Sequence, residues 1–524
     1  MENLGKKSFT SMLSPGYPRS SESEAETRSS VCIAPEGSGD GVYLGCMCAK
    51  NQRHDVTRPS NVSGHHLGIG GSGSGKSSTG VKGTIGRFKG SMVAMSLDGS
   101  LLDEMKARKS RKQPVKLLRL STVKRTIHTY DVYKNLSNHC DENLLQEFVE
   151  IAQCIIPMPL DIREPFWVEI SQSTLAALLL YYYKKGHTFI KSMELINSIP
   201  ISEILFRIQS DGCHIVKMLL NPLLGLNMQE ENKLLVSIMT TIGSKTHVFA
   251  TDPTIKAALT PNKNSICWSK LERYSVFIDV EQSKLEQWGP VITMLLTQLI
   301  RKLECRPNMY TSAGKKTRPV LLLLDEFPRL GKIEVLTNAL ATLRVKKVTI
   351  SLFVQSLSQL DLIYGKAVRC AMLDNISYTS IYSVQDVATQ EYVSRYIGTQ
   401  EVTQHSNSVS FSGGKWQNIV QKNTSVQPVI KGHLLRNLKK ILIVTPTEHF
   451  WLNKAFSDEP TILEKNTTIF TKIKAKVIKG KDIVASTLKK CLPYISSQVA
   501  AVAATAVTKV ATGFFKKMFG KVFG

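Results

Sequence analysis

Residues 65–78 read His65-His66-Leu67-Gly68-Ile69-Gly70-Gly71-Ser72-Gly73-Ser74-Gly75-Lys76-Ser77-Ser78. A short apolar strand, His65–Ile69, empties into a glycine- and serine-rich loop that opens a helix. Gly70 to Ser77 fits G-x-x-x-x-G-K-[ST]. The glycines let the backbone curl until its N–H groups converge on phosphate oxygens, and the helix that follows offers its N-terminal dipole to the same anion. In such a loop Lys76 reaches the β- and γ-phosphates and the Ser77 hydroxyl binds Mg²⁺. The nucleotide-binding set is therefore Gly70, Gly71, Ser72, Gly73, Ser74, Gly75, Lys76, Ser77 and Ser78. The same letters can arise by chance in a Gly/Ser linker, but a linker lacks the strand before and the helix after.

A second stretch completes the chemistry. Val320-Leu321-Leu322-Leu323-Leu324 is wholly apolar and delivers Asp325-Glu326 at its C-terminal edge. Asp325 is placed to hold the metal's water shell, and Glu326 to orient and deprotonate the attacking water. The plain alternative is an exposed acidic turn after a core strand. Gln355 ends the next apolar strand, where a γ-phosphate or water can be sensed. Arg344 lies in the intervening helix-to-strand segment, from which an oligomer can present it to a neighbour's nucleotide. Polar residues at strand ends are also common without any role.

Further strands are expected at Gly41–Leu44, Ser91–Leu97, Ser275–Val280, Thr349–Val354, Tyr378–Ser383 and Ile441–Thr445, with helical patterns between them. The class is α/β with a largely parallel sheet. Between about Asn135 and Ile242 helical periodicity dominates, as in LLQEFVEIAQCII and PFWVEISQSTLAALLLYYY, and strand-like runs are scarce. An all-helical insertion is expected there. The organisation reads as a mobile arm (1–36), the first part of a nucleotide-binding domain (37–134), the helical insertion (135–245), the second part of the nucleotide-binding domain (246–460) and a Lys-rich tail (461–524).

The chain has 524 residues, 42% of them hydrophobic, which is enough to bury a sizeable core. Its formal net charge of +25 favours polyanionic partners, nucleic acid or an anionic membrane face, over an ordinary basic enzyme. From Lys106 to Arg125 there are nine Lys or Arg and no Asp or Glu, either a solvated basic face or a phosphate-binding segment. Ten cysteines without zinc spacing read as reduced thiols of a cytosolic protein. The opening MENLGKKSFTSMLSPGYPRSS has no apolar core of a signal peptide, and no stretch has the run of about 20 apolar residues of a membrane span. In the tail, Lys472 to Gly524 holds eleven Lys, one Asp and no Arg or Glu. Val507, Val510, Ala511, Phe514, Met518 and Val522 recur there at helical spacing. That pattern reads as a basic amphipathic helix in a membrane interface, or equally as one packed on a protein partner.

The segment LLLLDEFPRLGKIEVLTNALATLRVKKVTISLFVQSLSQLDLIYGK resembles the type IV secretion coupling proteins, the TraG/TraD group of the FtsK/HerA ATPase superfamily. Asp325-Glu326-Phe327, Leu330-Gly331, Gln355-Ser356 and Gln359-Leu360 followed by Tyr364-Gly365 stand in that family's order. HHLGIGGSGSGKSS is similar to its entry strand and phosphate loop, Pro165-Phe166-Trp167 to the start of its helical domain, and Val426–Phe456 to its closing strands. The resemblance implies a RecA-like P-loop ATPase domain with ATP and Mg²⁺ as ligands. It implies a homo-hexamer fed with relaxase-bound single-stranded DNA, working with type IV secretion channel components at the cytoplasmic face of the bacterial inner membrane. It places Arg344 at a trans-acting arginine and Lys366 near a second basic residue of the inter-subunit site. Two departures stand out. The family's Asp-Pro-Lys-Gly-Glu is Asp98-Gly99-Ser100 here, and the usual N-terminal membrane helices are not seen, which turns attention to the tail for peripheral membrane contact. Other readings are a duplex DNA translocase of the FtsK/HerA type and a substrate-docking receptor with negligible ATPase activity. Intact Lys76, Ser77, Asp325 and Glu326 speak against the receptor.

Overall fold

The apolar runs become neighbouring strands of one sheet. A computed structural model describes residues 31–454, apart from 50–51, 111–113, 125, 137–140, 160–163, 225–232 and 413–414. These all fall within a unit that ends at Phe456. Most of the expected arm and the whole Lys-rich tail, with its amphipathic pattern, lie outside the described residues.

The strands are β1 (Cys32–Pro35), β2 (Val42–Ala49), β3 (Gln52–Arg58), β4 (His65–Ile69), β5 (Ser91–Leu97), β6 (Val115–Leu120) and β7 (Ser275–Val280). They continue with β8 (Val320–Leu324), β9 (Val348–Val354), β10 (Ile376–Ile381), β11 (Thr399–Ser412), β12 (Lys415–Pro428), β13 (Lys440–Val444) and β14 (His449–Asn453). Twelve form one sheet in the order β1-β3-β2-β14-β13-β10-β4-β9-β8-β5-β7-β6. From β10 to β6 every pairing is parallel. From β10 outward to β1 every pairing is antiparallel.

The parallel half is covered on both faces, so its central strands are mostly apolar on both faces rather than alternating. Successive side chains still point to opposite faces. Leu322, Leu324, Ile350, Leu352 and Val354 join the core shared with the helices of the insertion. Leu321, Leu323 and Phe353 join a second core with Val81, Ile85 and Phe88.

Between Asp141 and Leu259 the described chain is helical: Asp141–Ile155, Phe166–Lys184, Phe189–Ser198, Ile201–Asp211, His214–Leu224, Lys233–Thr251 and Pro253–Leu259. The boundary expected at 245 falls inside Lys233–Thr251. The helical run continues because Asp252 then caps the next helix, accepting from Thr254 N–H at 2.8 Å and Ile255 N–H at 3.1 Å.

Two sequence expectations need correction. The arm was expected to reach residue 36, but Cys32–Pro35 pairs antiparallel with β3, which supplies the ladder partners that its polar surroundings hid. The basic stretch Lys106–Arg125 contains a strand, β6. Two of its arginines are structural: buried Arg108 donates to the carbonyls of Ile85, Phe88 and Gly90, and Arg119 pairs with Asp279 at 3.1 Å. A feature with no counterpart in the sequence reading is the two-stranded ribbon of β11 and β12, which among the described residues pair only with each other. At about 3.3 Å per residue its 14-residue strands extend roughly 45 Å.

Buried groups anchor β4. Arg58 donates to Val62 O at 2.5 Å, Gly64 O at 2.6 Å and Thr349 Oγ1 at 2.8 Å, fixing the turn that leads into the strand. His65 Nδ1 accepts from Ile350 N–H at 3.0 Å, so its Nε2 donates to Leu340 O at 2.8 Å. His66 bridges Ser351 Oγ at 2.7 Å and Ser380 Oγ at 2.9 Å, tying β4 to both neighbours. Burial, helped by the Arg58 charge, pushes both histidines down to about 3. The unfolded chain therefore takes up protons between about pH 6.5 and 3 that the folded chain does not. The stability of two neutral histidines is fully present above pH 6.5 and is lost as pH falls through that window. Each loses up to about 1.4 kcal/mol per pH unit. Urea unfolding at pH 7 and pH 5 should show the fall, and His66→Gln should flatten it.

Candidate nucleotide-binding site

The phosphate loop leaves β4 at the C-terminal edge of the parallel sheet and is pinned on both sides. Gly70 N–H donates to Val354 O of β9 at 3.0 Å, and Gly71 N–H to Ser383 O just past β10 at 2.8 Å. Gly73 and Gly75 take left-handed backbone, φ 70° and 88°. This curl is what carries the chain from strand to helix. Ser72 and Gly73 lie exposed at its tip. Ser78 Oγ donates back to Gly75 O at 3.3 Å. The helix opens with a wide π-helical turn, Lys76–Val81, and continues as Lys82–Arg87.

β9 separates β4 from β8, so the loop and Asp325-Glu326 stand on either side of one strand end. There the sequence-predicted residues meet. The Ser77 hydroxyl donates to the Asp325 carboxylate, and the Glu326 N–H donates to Asp325 Oδ1 at 3.0 Å. Lys76 is only 6% exposed. Burial lowers its ammonium below the usual lysine range, against the pull of Asp325 and Glu326. Burial likewise raises the Asp325 carboxyl, against the pull of Lys76, Ser77 and the Glu326 N–H. Each charge is thus under-compensated by the protein alone, and Ser74 Oγ is buried with no partner. A phosphate chain would satisfy the lysine and a divalent cation the carboxylate. The residues present fit both.

Gln355 follows β9 between the two loops. Its N–H donates to Gln359 Oε1 at 3.2 Å, and Gln359 Nε2 donates back to Gln355 Oε1 at 3.5 Å. Glu326 has left-handed backbone, φ 50°, and its Oε2 accepts from Arg329 Nη1 at 2.9 Å.

Arg344 is not brought to this site. It is exposed and precedes β9, whereas Gln355 follows it. The length of β9, roughly 20 Å, separates the two edges of the sheet. Lys366 is exposed at the start of the helix Lys366–Leu373.

Several motif residues do packing rather than chemistry. The Phe327 ring stacks on Tyr364 at 5.8 Å between centroids, and Tyr364 Oη accepts from Ile333 N–H at 3.0 Å. Residues missed from sequence are the Ser383 carbonyl, Arg329 and Gln282. Only Arg329 left a signal, its i+3 spacing from Glu326.

Gly75→Ala places a Cβ in left-handed backbone and should cost about 1–2 kcal/mol. It should also weaken binding of a fluorescent ATP analogue. Gly86→Ala, in helix Lys82–Arg87 with open space around its Cβ, should leave both unchanged or slightly raise stability. Thermal unfolding and analogue titration of the two variants test this.

The family model for Type IV secretory system Conjugative DNA transfer matches residues 23–456. The VirD4 protein of Rhizobium radiobacter is 25% identical over 334 residues, 63% of this chain and 47% of its own length. The VirD4 protein of Rhizobium rhizogenes is 29% identical over 210 residues, 40% of this chain and 30% of its own length. The chain thus spans less than half the length of these relatives. The conjugative coupling protein TrwB in unbound form matches with a TM-score of 0.58 at 15% identity, covering 77% of this chain and 87% of TrwB. TrwB in complex with ADP and Mg²⁺ matches with a TM-score of 0.55 at 15% identity, covering 75% of this chain and 85% of TrwB. The fold is the RecA-like P-loop ATPase fold.

Proposed function

The chain belongs to the type IV secretory system conjugative DNA transfer family, and we propose that it is an ATP-hydrolysing coupling motor. It recruits relaxase-bound single-stranded DNA and delivers it to the secretion channel. The observation that carries this reading is the apposition of buried Lys76 and half-buried Ser77 and Asp325 across β9. A receptor without turnover has no need to bury two under-compensated charges beside a phosphate loop.

In this reading the loop N–H groups and Lys76 bind the phosphates of ATP. The Ser77 hydroxyl and the Asp325 carboxylate would hold Mg²⁺, which would neutralise charge on the phosphates. Glu326 accepts the proton of the attacking water. Gln355, pinned by Gln359, contacts the γ-phosphate or that water. Arg344, on the opposite edge of the sheet, serves a neighbouring subunit's nucleotide in a homo-hexamer, with Lys366 near the same interface.

Charge supports nucleic acid as cargo. The net charge is +25, and residues 402–447 contain six Lys or Arg and no Asp or Glu. That stretch includes most of the β11–β12 ribbon. Among the described residues no helix is long and apolar enough to cross a membrane. We place the protein at the cytoplasmic face of the inner membrane with the Lys-rich tail as peripheral contact. Anionic liposomes should retain the full chain better than a chain ending at Glu464, and equal retention would remove the tail contact.

ATP turnover measured with single-stranded DNA, duplex DNA and no DNA tests the motor, and single strands should stimulate most. Stimulation by duplex alone would favour a duplex translocase. Lys76→Ala should weaken nucleotide binding and abolish turnover, whereas Glu326→Gln should bind ATP and not hydrolyse it. Arg344→Ala should bind nucleotide normally and turn over slowly. Mixed with Glu326→Gln protein, it should regain activity, because some interfaces then pair an intact Glu326 with an intact Arg344. A mixture no more active than either variant alone would exclude the shared site.

A further inference from the structure

Two strand-end loops, after β5 and β7, meet the Glu326 turn from the side away from the phosphate loop. In the sheet, β9 and β4 lie on one side of β8, and β5 and β7 on the other. Lys76 and Gln355 belong to the β4–β9 side. The Glu326 carboxylate instead pairs with Arg329. With the Gln282 amide oxygen facing Arg329, that oxygen accepts from Nη1 at 2.8 Å and Nη2 at 3.0 Å. The Gln282 amide nitrogen then donates to Asp98 Oδ2 at 3.3 Å. The Gln282 backbone N–H donates to Asp98 Oδ1 at 2.9 Å, whichever way the amide is turned. Asp98 follows β5 and Gln282 follows β7. Asp98 and Glu326 both hold left-handed backbone, φ 51° and 50°. Strain of this kind persists where surrounding contacts over-determine it, and it gathers at functional edges.

We propose that Arg329 is a positioning residue that restrains the catalytic base, and that the Asp98 and Gln282 loops set the restraint. The proposal rests on reading Glu326 as the base of ATP hydrolysis. A base must reach the proton it takes. Held by Arg329, which Gln282 anchors in turn, Glu326 is drawn toward β5 and β7 and away from the phosphate loop. Arg329 and Glu326 are 38% and 33% exposed. Such an exposed pair is weak, so the restraint is reversible. It also gives a use to Asp98, where the family's longer acidic–basic loop is reduced to Asp98-Gly99-Ser100. A movement of the β5 or β7 loop is passed to the base through two side chains.

The test uses the full chain and measures DNA-free turnover at saturating ATP beside affinity for a fluorescent ATP analogue. Arg329→Ala should raise kcat about two- to fivefold, the scale of an exposed ion pair. Analogue affinity should stay within about twofold, since no phosphate contact is touched. Arg329→Lys, which keeps the charge, should lie between wild type and Arg329→Ala. Gln282→Ala frees Arg329 from its second anchor and should raise kcat by less. It stands as the deciding variant if Arg329→Ala melts early. An unchanged or lower kcat in a folded variant with intact analogue binding overturns the restraint. Wild-type turnover in Glu326→Gln would remove the base assignment and this proposal with it. Loss of turnover in Glu326→Gln, with no rise in Arg329→Ala, overturns the restraint alone.

Discussion

Phe353 and Tyr382 fill the space that side chains at Gly68 and Gly80 would need. A Cβ at Gly68 would stand 2.3 Å from the Phe353 ring, and one at Gly80 would stand 2.3 Å from the Tyr382 hydroxyl. This close approach seats the helix after the phosphate loop directly on β9 and β10. Ser77 lies on that helix, so its reach to Asp325 depends on the seat. A helix raised by one methyl group would lift Lys76 and Ser77 away from β8. The apposition of Ser77 and Asp325 therefore hangs on a packing contact that involves neither residue.

The same seat explains the electrostatics. Lys76 and Asp325 are displaced from their usual proton affinities in the direction burial dictates, although each attracts the other. Two opposite charges held apart in a poorly solvated edge do not compensate fully. A site of this kind gains by accepting a polyphosphate and a cation together, since each guest relieves a different host charge. Tyr364 and Phe327, stacked beneath the Glu326 turn, keep the third member of the site on the same platform.

The parallel sheet has two edges with different duties. The C-terminal edge carries the phosphate loop, Asp325, Glu326 and Gln355. The N-terminal edge carries Arg344, one strand length away. A single copy cannot bring the two together without unravelling β9, whose residues are buried throughout. If Arg344 acts on nucleotide, geometry requires the nucleotide of another copy. Within one chain, the side chain that reaches Glu326 is Arg329, from the adjoining turn.

Local pattern was enough to determine much of this protein. β5, β7 and β8 begin and end where their mostly apolar runs do, because a strand buried on both faces is apolar at most positions. The glycine pattern fixed the phosphate loop, and the carboxylates after β8 could be read from two adjacent letters. β1, β3 and the β11–β12 ribbon were not legible, because β1 is only four residues long and the others are polar, and all gain their hydrogen bonds only from partners chosen in three dimensions. β6 was hidden in a run of basic residues, two of which turned inward to satisfy carbonyls and Asp279. The link from Asp98 through Gln282 to Arg329 spans residues more than 180 positions apart. No spacing rule joins them. Sheet order does, by placing the ends of β5, β7 and β8 side by side, and so tertiary structure alone decided which side chains meet Arg329, the partner of Glu326.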